Sequence, residues 1–281
     1  MFQEETFASE IPQPFQKLAS LLAMPPSENW DEFRHSFISH WGRKPGQERW
    51  QMKEVGLSPS RKEQVLQVLN ELGMTSSWAP KETQYDYAIL PGATVPSMKA
   101  RLDWLAKQWQ NGTRFKQIVV LTGQRPLTPE IDHISEVMAG LLPENSSLPT
   151  TFTGSNAPMH ETEAARLLLY YYPYPQGMER VPVKFVDSPR CWQGGHWSRC
   201  HTATTVKDWL EYSPKPGAML VISSQPSAHY QDSVFRREMP KGFAVETSTA
   251  SLTQGYPMAV LLDAVATWLR TSDEPPELQG Q

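Results

Sequence analysis

The chain carries only two cysteines in 281 residues, Cys191 and Cys200, too few for the disulfide framework that staples small secreted domains. No apolar run approaches the length a membrane-spanning helix needs, about eighteen residues. The nearest candidate, Met258 to Leu269, is interrupted by Asp263. Net charge is low, a formal −4, so nothing draws the whole chain toward nucleic acid or an anionic membrane. The first residues, Met1-Phe2-Gln3-Glu4-Glu5-Thr6, are acidic and lack the basic and apolar regions of a signal peptide. No internal repeat is evident. There is no G-x-G-x-x-G dinucleotide fingerprint, no G-x-x-x-x-G-K-[ST] phosphate loop and no G-x-S-x-G nucleophile elbow. These absences predict a soluble, cytoplasmic protein with no membrane span and no nucleic-acid partner.

What is present is an alternation. Three times an apolar strand runs into a small polar loop and then a helix: Tyr87-Ala-Ile-Leu-Pro-Gly-Ala-Thr94, Gln117-Ile-Val-Val-Leu-Thr-Gly-Gln-Arg125 and Ala218-Met-Leu-Val-Ile-Ser-Ser-Gln-Pro226. Continuous apolar runs suit strands buried on both faces, as in a parallel sheet covered by helices. Further strands are expected over 181–186 and 243–247. Helices are expected over 95–109, 128–142, 160–172, 204–212, 228–239 and 257–271. The predicted fold is α/β: a three-layer, Rossmann-like, mostly parallel sheet with right-handed crossovers. Residues 1–80 carry no strong strand, and 15–24, 30–41 and 58–74 show apolar residues at helical spacing. They predict a helical N-terminal extension over 1–80, followed by the α/β domain over 81–281. The twenty-five prolines sit mostly in connections and imply long ordered loops.

In open parallel sheets ligands bind outside the carboxyl ends of the strands, so the loops there are the first candidates for chemistry. Gly92, Ala93 and Thr94 let backbone approach a ligand just before a helix amino end; a tight turn needing a glycine is the alternative. Gly123, Gln124 and Arg125 form the second loop, with Arg125 and Arg101 as cations for a phosphate or carboxylate, or as solvated surface residues. Ser224, Gln225 and His229 make the third, where hydroxyl, amide and imidazole could read a ligand or transfer a proton. His160-Glu161-Thr162-Glu163 opens a helix, where acids suit the helix dipole and a carboxylate could also bind ribose, an amine or a metal. Cys191, His196, Cys200 and His201 fall within eleven residues, but their spacing matches no standard zinc cluster. A tryptophan-rich lid is the better reading of that segment.

The order of these short motifs resembles the bacterial SanA/ElyC/YdcF-like domain, a Rossmann-like family of poorly defined activity. The features that carry the resemblance are Gly92-Ala93 with Arg101-Leu102, Thr122-Gly123-Gln124, Glu163-Ala164, Thr204 or Thr205, and Ser223-Ser224-Gln225-Pro226 with His229. It covers about residues 85–250. The family pattern has a second glycine where Gln124 stands and an arginine near Tyr230 and Gln231, and it lacks the Cys191–His201 insertion. The resemblance implies a small-molecule-binding protein or enzyme acting on a nucleotide-like or phosphorylated ligand, S-adenosylmethionine included. His229 and Ser224 would then be the reactive groups, and Gly92, Ala93, Thr94, Arg101, Gly123, Gln124, Arg125, Glu163 and Gln225 would bind the ligand. No cofactor or metal is named by the sequence. The expectation from another class is a non-catalytic protein whose Trp30, Trp41, Trp50 and Trp78 dock a partner or a second copy. A metal-dependent hydrolase ranks third.

Overall fold

The computed structural model describes residues 10–142, 157–193, 195–198, 200–253, 255–272 and 274–275. The chain divides into two compact units, one of residues 78–224 and 234–250, the other of residues 1–77, 225–233 and 251–281. This differs from a contiguous division at residue 80, because the last helix shares a core with the first three.

The α/β unit is built on a five-stranded, all-parallel sheet. Its strands are β1 (Gln84–Pro91), β2 (Arg114–Gly123), β3 (Val183–Ser188), β6 (Ala218–Ser224) and β7 (Ala244–Ala250), in the order β3-β2-β1-β6-β7. The expected apolar runs are its centre: Ala88, Ile89, Ile118, Val119, Leu220 and Val221 are fully buried. Alternate residues face opposite helix layers. Leu90, Val120, Leu220 and Ile222 pack with α4 (Val95–Gln110) and α7 (Glu161–Tyr171). Ile89, Val119, Leu121, Val186 and Val221 pack with α8 (Thr202–Leu210) and with Phe235 of α9 (Ala228–Glu238).

The helix expected over 128–142 is instead two short ones, α5 (Pro129–Asp132) and α6 (Ile134–Ala139). His133 between them takes a left-handed conformation, with φ 40° and ψ 40°. The Asp132 side chain bends back to accept hydrogen bonds from the Thr128 and Val95 amides. The segment expected to be a lid contains a two-stranded antiparallel hairpin, β4 (Cys191–Gln193) and β5 (His196–Ser198), with Trp192 exposed on it.

The helical unit holds α1 (Gln13–Leu21), α2 (Trp30–Trp41), α3 (Pro59–Glu71) and α10 (Met258–Leu269). Its core is aromatic: Phe15, Trp30, Phe33, Phe37 and Trp268 surround Leu18, Val65, Val68, Leu69 and Leu262. Ser58 caps α3 by accepting from the Arg61 amide, Pro59 fills its first turn, and Gly73 follows its end with φ 70°. Among the described residues no helix is long and apolar enough to cross a membrane.

Candidate functional site

The strand order reverses between β1 and β6. From β1 the chain moves outward to β2 and β3, then returns to the other side for β6 and β7. Such a switch point opens a crevice at the carboxyl ends of its two strands. Arg101 lies across it. From the second turn of α4 its buried guanidinium donates through Nη1 to the carbonyls of Pro91 (2.7 Å) and Gly92 (3.2 Å). Through Nε and Nη2 it donates to Ser224 Oγ at the end of β6, at 3.3 and 3.1 Å. One side chain thus ties the two strand ends that flank the crevice.

A second network lies over β2. Arg125 grips Asp132 with both terminal nitrogens, Nη1 to Oδ2 at 2.9 Å and Nη2 to Oδ1 at 2.8 Å. Its Nε reaches Glu161 Oε2 at 3.1 Å, and Nη2 also donates to the Ala93 carbonyl at 3.2 Å. Burial disfavours the Arg125 charge, but the hydrogen bonds and charges of Asp132 and Glu161 outweigh it and hold its pKa above the ordinary arginine value. Burial would raise Asp132; the bonds from Arg125 and the Thr128 amide hold it below the usual carboxylate range. Glu161 goes the other way, pushed up by burial despite Arg125. Arg125 is therefore no solvated surface residue. Because Asp132 receives the Val95 amide, the amino end of α4 already faces a carboxylate of the chain itself.

Glu161 also touches both glycines at the strand ends, and it explains the first. Its Oε1 accepts from the Gly123 amide at 3.3 Å, and a Cβ on Gly92 would run into its carboxylate. On Gly123 a Cβ would sit 3.1 Å from Cys200 Cβ and 3.2 Å from the Ser188 carbonyl. Both positions require close backbone approach. Glu163 plays a local part: it accepts from the Met159 amide at 2.7 Å and lies 3.3 Å from His160 Nε2, at the amino end of its own helix. Thr94 Oγ1 donates to Ser97 Oγ at 3.0 Å within the first turn of α4.

At the end of β3 stands an acid that the sequence reading passed over. Asp187 is exposed and is held by Thr162 Oγ1 on Oδ1 (2.6 Å) and by Gln124 Nε2 on Oδ2 (3.2 Å). Cys200 donates to the Ser188 and Pro189 carbonyls, pinning the chain after the hairpin to the end of β3. His201 accepts from the Thr204 amide as the amino cap of α8. Among the described residues no group of three or more histidines, cysteines or acids could hold a metal. The side chains of Cys191 and His196 lie outside the described residues.

Gln225 and His229 belong to the helical unit and are engaged there. Gln225 Nε2 donates to the carbonyls of Gly73 and Ser76, at 2.8 and 2.9 Å. His229 is buried, with Nε2 donating to the Leu72 carbonyl at 2.7 Å and its ring stacked 3.9 Å from Trp268. The structure thus gathers Gly92, Ala93, Thr94, Arg101, Gly123, Gln124, Arg125 and Ser224 at the sheet's carboxyl edge, with Glu161 in place of Glu163. Of the tryptophans expected to dock a partner, Trp30 is buried, Trp41 packs on the helical core and Trp78 pairs its backbone with Thr249; Trp50 is 43% exposed.

No family model matches the chain, and no curated protein matches it. The chemistry of this edge rests on its own residues. Asp132, Glu161 and Asp187 could signal their role only through partners in other elements, which neither spacing nor motif displays.

Proposed function

We propose that the α/β unit binds, and acts on, a small nucleotide-like or phosphorylated compound at the carboxyl edge of its sheet, in the manner of the SanA/ElyC/YdcF-like domains its motifs resemble. The observation that carries this reading is Arg101, whose guanidinium spans the ends of β1 and β6 at the strand-order switch point. A cation and a serine hydroxyl meeting at that crevice are suited to an anionic group. The Gly92 and Ala93 carbonyls beside them are held in place by Arg101 and Arg125. Arg125, neutralised by two carboxylates, serves to hold the neighbouring loops in shape.

The test is ligand-induced stabilisation, which requires no guess about the reaction because any ligand of the native state raises the melting temperature by mass action. Nucleotides, sugar phosphates and S-adenosylmethionine are screened against the wild-type chain and Ser224→Ala. A compound that stabilises the first and loses most of its effect on the second supports the site. Equal stabilisation of both by every active compound rejects it.

A further inference from the structure

We infer that Asp187 is the hydroxyl-reading carboxylate of this edge, selecting ligands that carry two neighbouring hydroxyls, as a ribose does; the inference rests on the nucleotide-like reading above. Three acids stand near the ends of β1, β2 and β3, and two of them, Asp132 and Glu161, are spent on Arg125. Asp187 differs. Its two anchors, the Thr162 hydroxyl and the Gln124 amide, carry no charge, and among the described residues no lysine, arginine or histidine pairs with it. The carboxylate is thus fixed in orientation without being neutralised, and it is exposed.

A carboxylate has about four acceptor positions on its two oxygens. Each Asp187 oxygen accepts one hydrogen bond from its anchor, which leaves a position on each for a ligand. Two acceptors on one planar group match two adjacent hydroxyls. The placement fits as well. Asp187 lies two residues beyond Phe185, and Ser224 two beyond Ile222; Phe185 and Ile222 share one core, so both polar residues face the α4 and α7 side of the sheet. With strands about 4.8 Å apart, Asp187 on β3 stands roughly 12 Å from the β1/β6 crevice. With a hydrogen bond of about 3 Å at each end, the gap that remains is about 6 Å, the separation of the phosphate and the ribose hydroxyls in a nucleoside 5′-monophosphate whose phosphate sits at Arg101 and Ser224.

The experiment compares the four common ribonucleoside 5′-monophosphates with their 2′,3′-dideoxy counterparts by titration calorimetry, on wild type, Asp187→Asn and Ser224→Ala. Wild type is expected to bind the best ribonucleotide roughly ten- to a hundredfold tighter than its dideoxy form, the usual worth of hydrogen bonds to a charged group. Asp187→Asn should bind the two alike, whereas Ser224→Ala should weaken both and keep their ratio. Thr162→Val, which removes an anchor and leaves the charge, should lower the ratio and covers the case of a misfolded Asp187→Asn. A ratio unchanged in Asp187→Asn and Thr162→Val overturns the role of Asp187, and so does a wild type that binds both forms equally; in either case the site itself stands if Ser224→Ala weakens binding. Failure of wild type to bind any monophosphate overturns the inference together with the reading beneath it.

Discussion

His229 shows how burial decides the chemistry of a single side chain. Enclosed between the Leu72 carbonyl and the Trp268 indole, its imidazole is held neutral, and burial pulls its pKa from 6.5 down to about 4 despite the Leu72 bond and the nearby Asp232 charge. The unfolded chain therefore binds more protons than the native one between about pH 4 and 6.5, so this residue's stabilisation is complete above that window and is lost as the pH falls through it. The loss amounts to about 3 kcal/mol. Thermal melts from pH 7 to pH 4 should show the decline, and His229→Gln, which keeps an N–H donor and cannot be protonated, should flatten it. An equally steep decline in the variant would place the titration elsewhere. In linear sequence His229 follows a strand and a polar loop, which reads as chemistry; the indole that stacks on it comes from α10. Glu161 and Glu163 teach the same lesson. Two residues apart on a helix they point about 200° apart. One dives under the strand ends while the other caps its own turn.

At the level of elements, the strands were legible because burial on both sides leaves a continuous apolar run that nothing else in a short segment explains. The helices expected over 95–109 and 30–41 followed from apolar spacing in the same way and are α4 and α2. The break between α5 and α6 was not legible, since the pattern over 128–142 suits one helix and the interruption comes from the pull of Arg125 and two amides on Asp132. This network fastens the starts of α4, α5 and α7 to one another. Asp132→Asn should lower stability by about 3–5 kcal/mol, because it leaves Arg125 buried with half of its compensation. Urea unfolding measures the loss. Arg125→Met combined with Asp132→Leu should cost less than the sum of the single changes, since the pair is removed as a whole; simple additivity would mean that the two residues do not act together.

For the molecule as a whole, the two ends of the sequence share one core. Eleven residues of α10 are buried, more than a helix on a surface would cover, and the core they enter holds the aromatic faces of α1 and α2 and the aliphatic face of α3. Asp263, wholly buried in the middle of that helix, takes the Arg43 and Arg49 side chains at 2.9 Å each and the Arg43 amide at 3.0 Å. The residue that interrupts the longest apolar run of the chain is thus the point where the C-terminal helix is tied to the segment after α2. Asp263→Ala should destabilise the protein by about 3–5 kcal/mol by leaving two arginines facing an empty partner position. Arg43→Met should cost less, because Arg49 still covers the carboxylate. Denaturant midpoints separate the two, and a smaller effect from Asp263→Ala than from Arg43→Met would contradict the arrangement.

The sequence by itself determined the class of fold, the places of the strands and the edge on which the glycine-containing polar loops gather. These depend on periodicity and on loop composition, which are local. Only the tertiary structure decided that α10 joins the N-terminal helices, that His229 is a core residue, that Arg101 bridges the switch point and that Asp187 stands exposed between Thr162 and Gln124. Each of those depends on which distant side chain meets which. Packing settles such pairings across the whole chain at once, and a linear pattern does not record them.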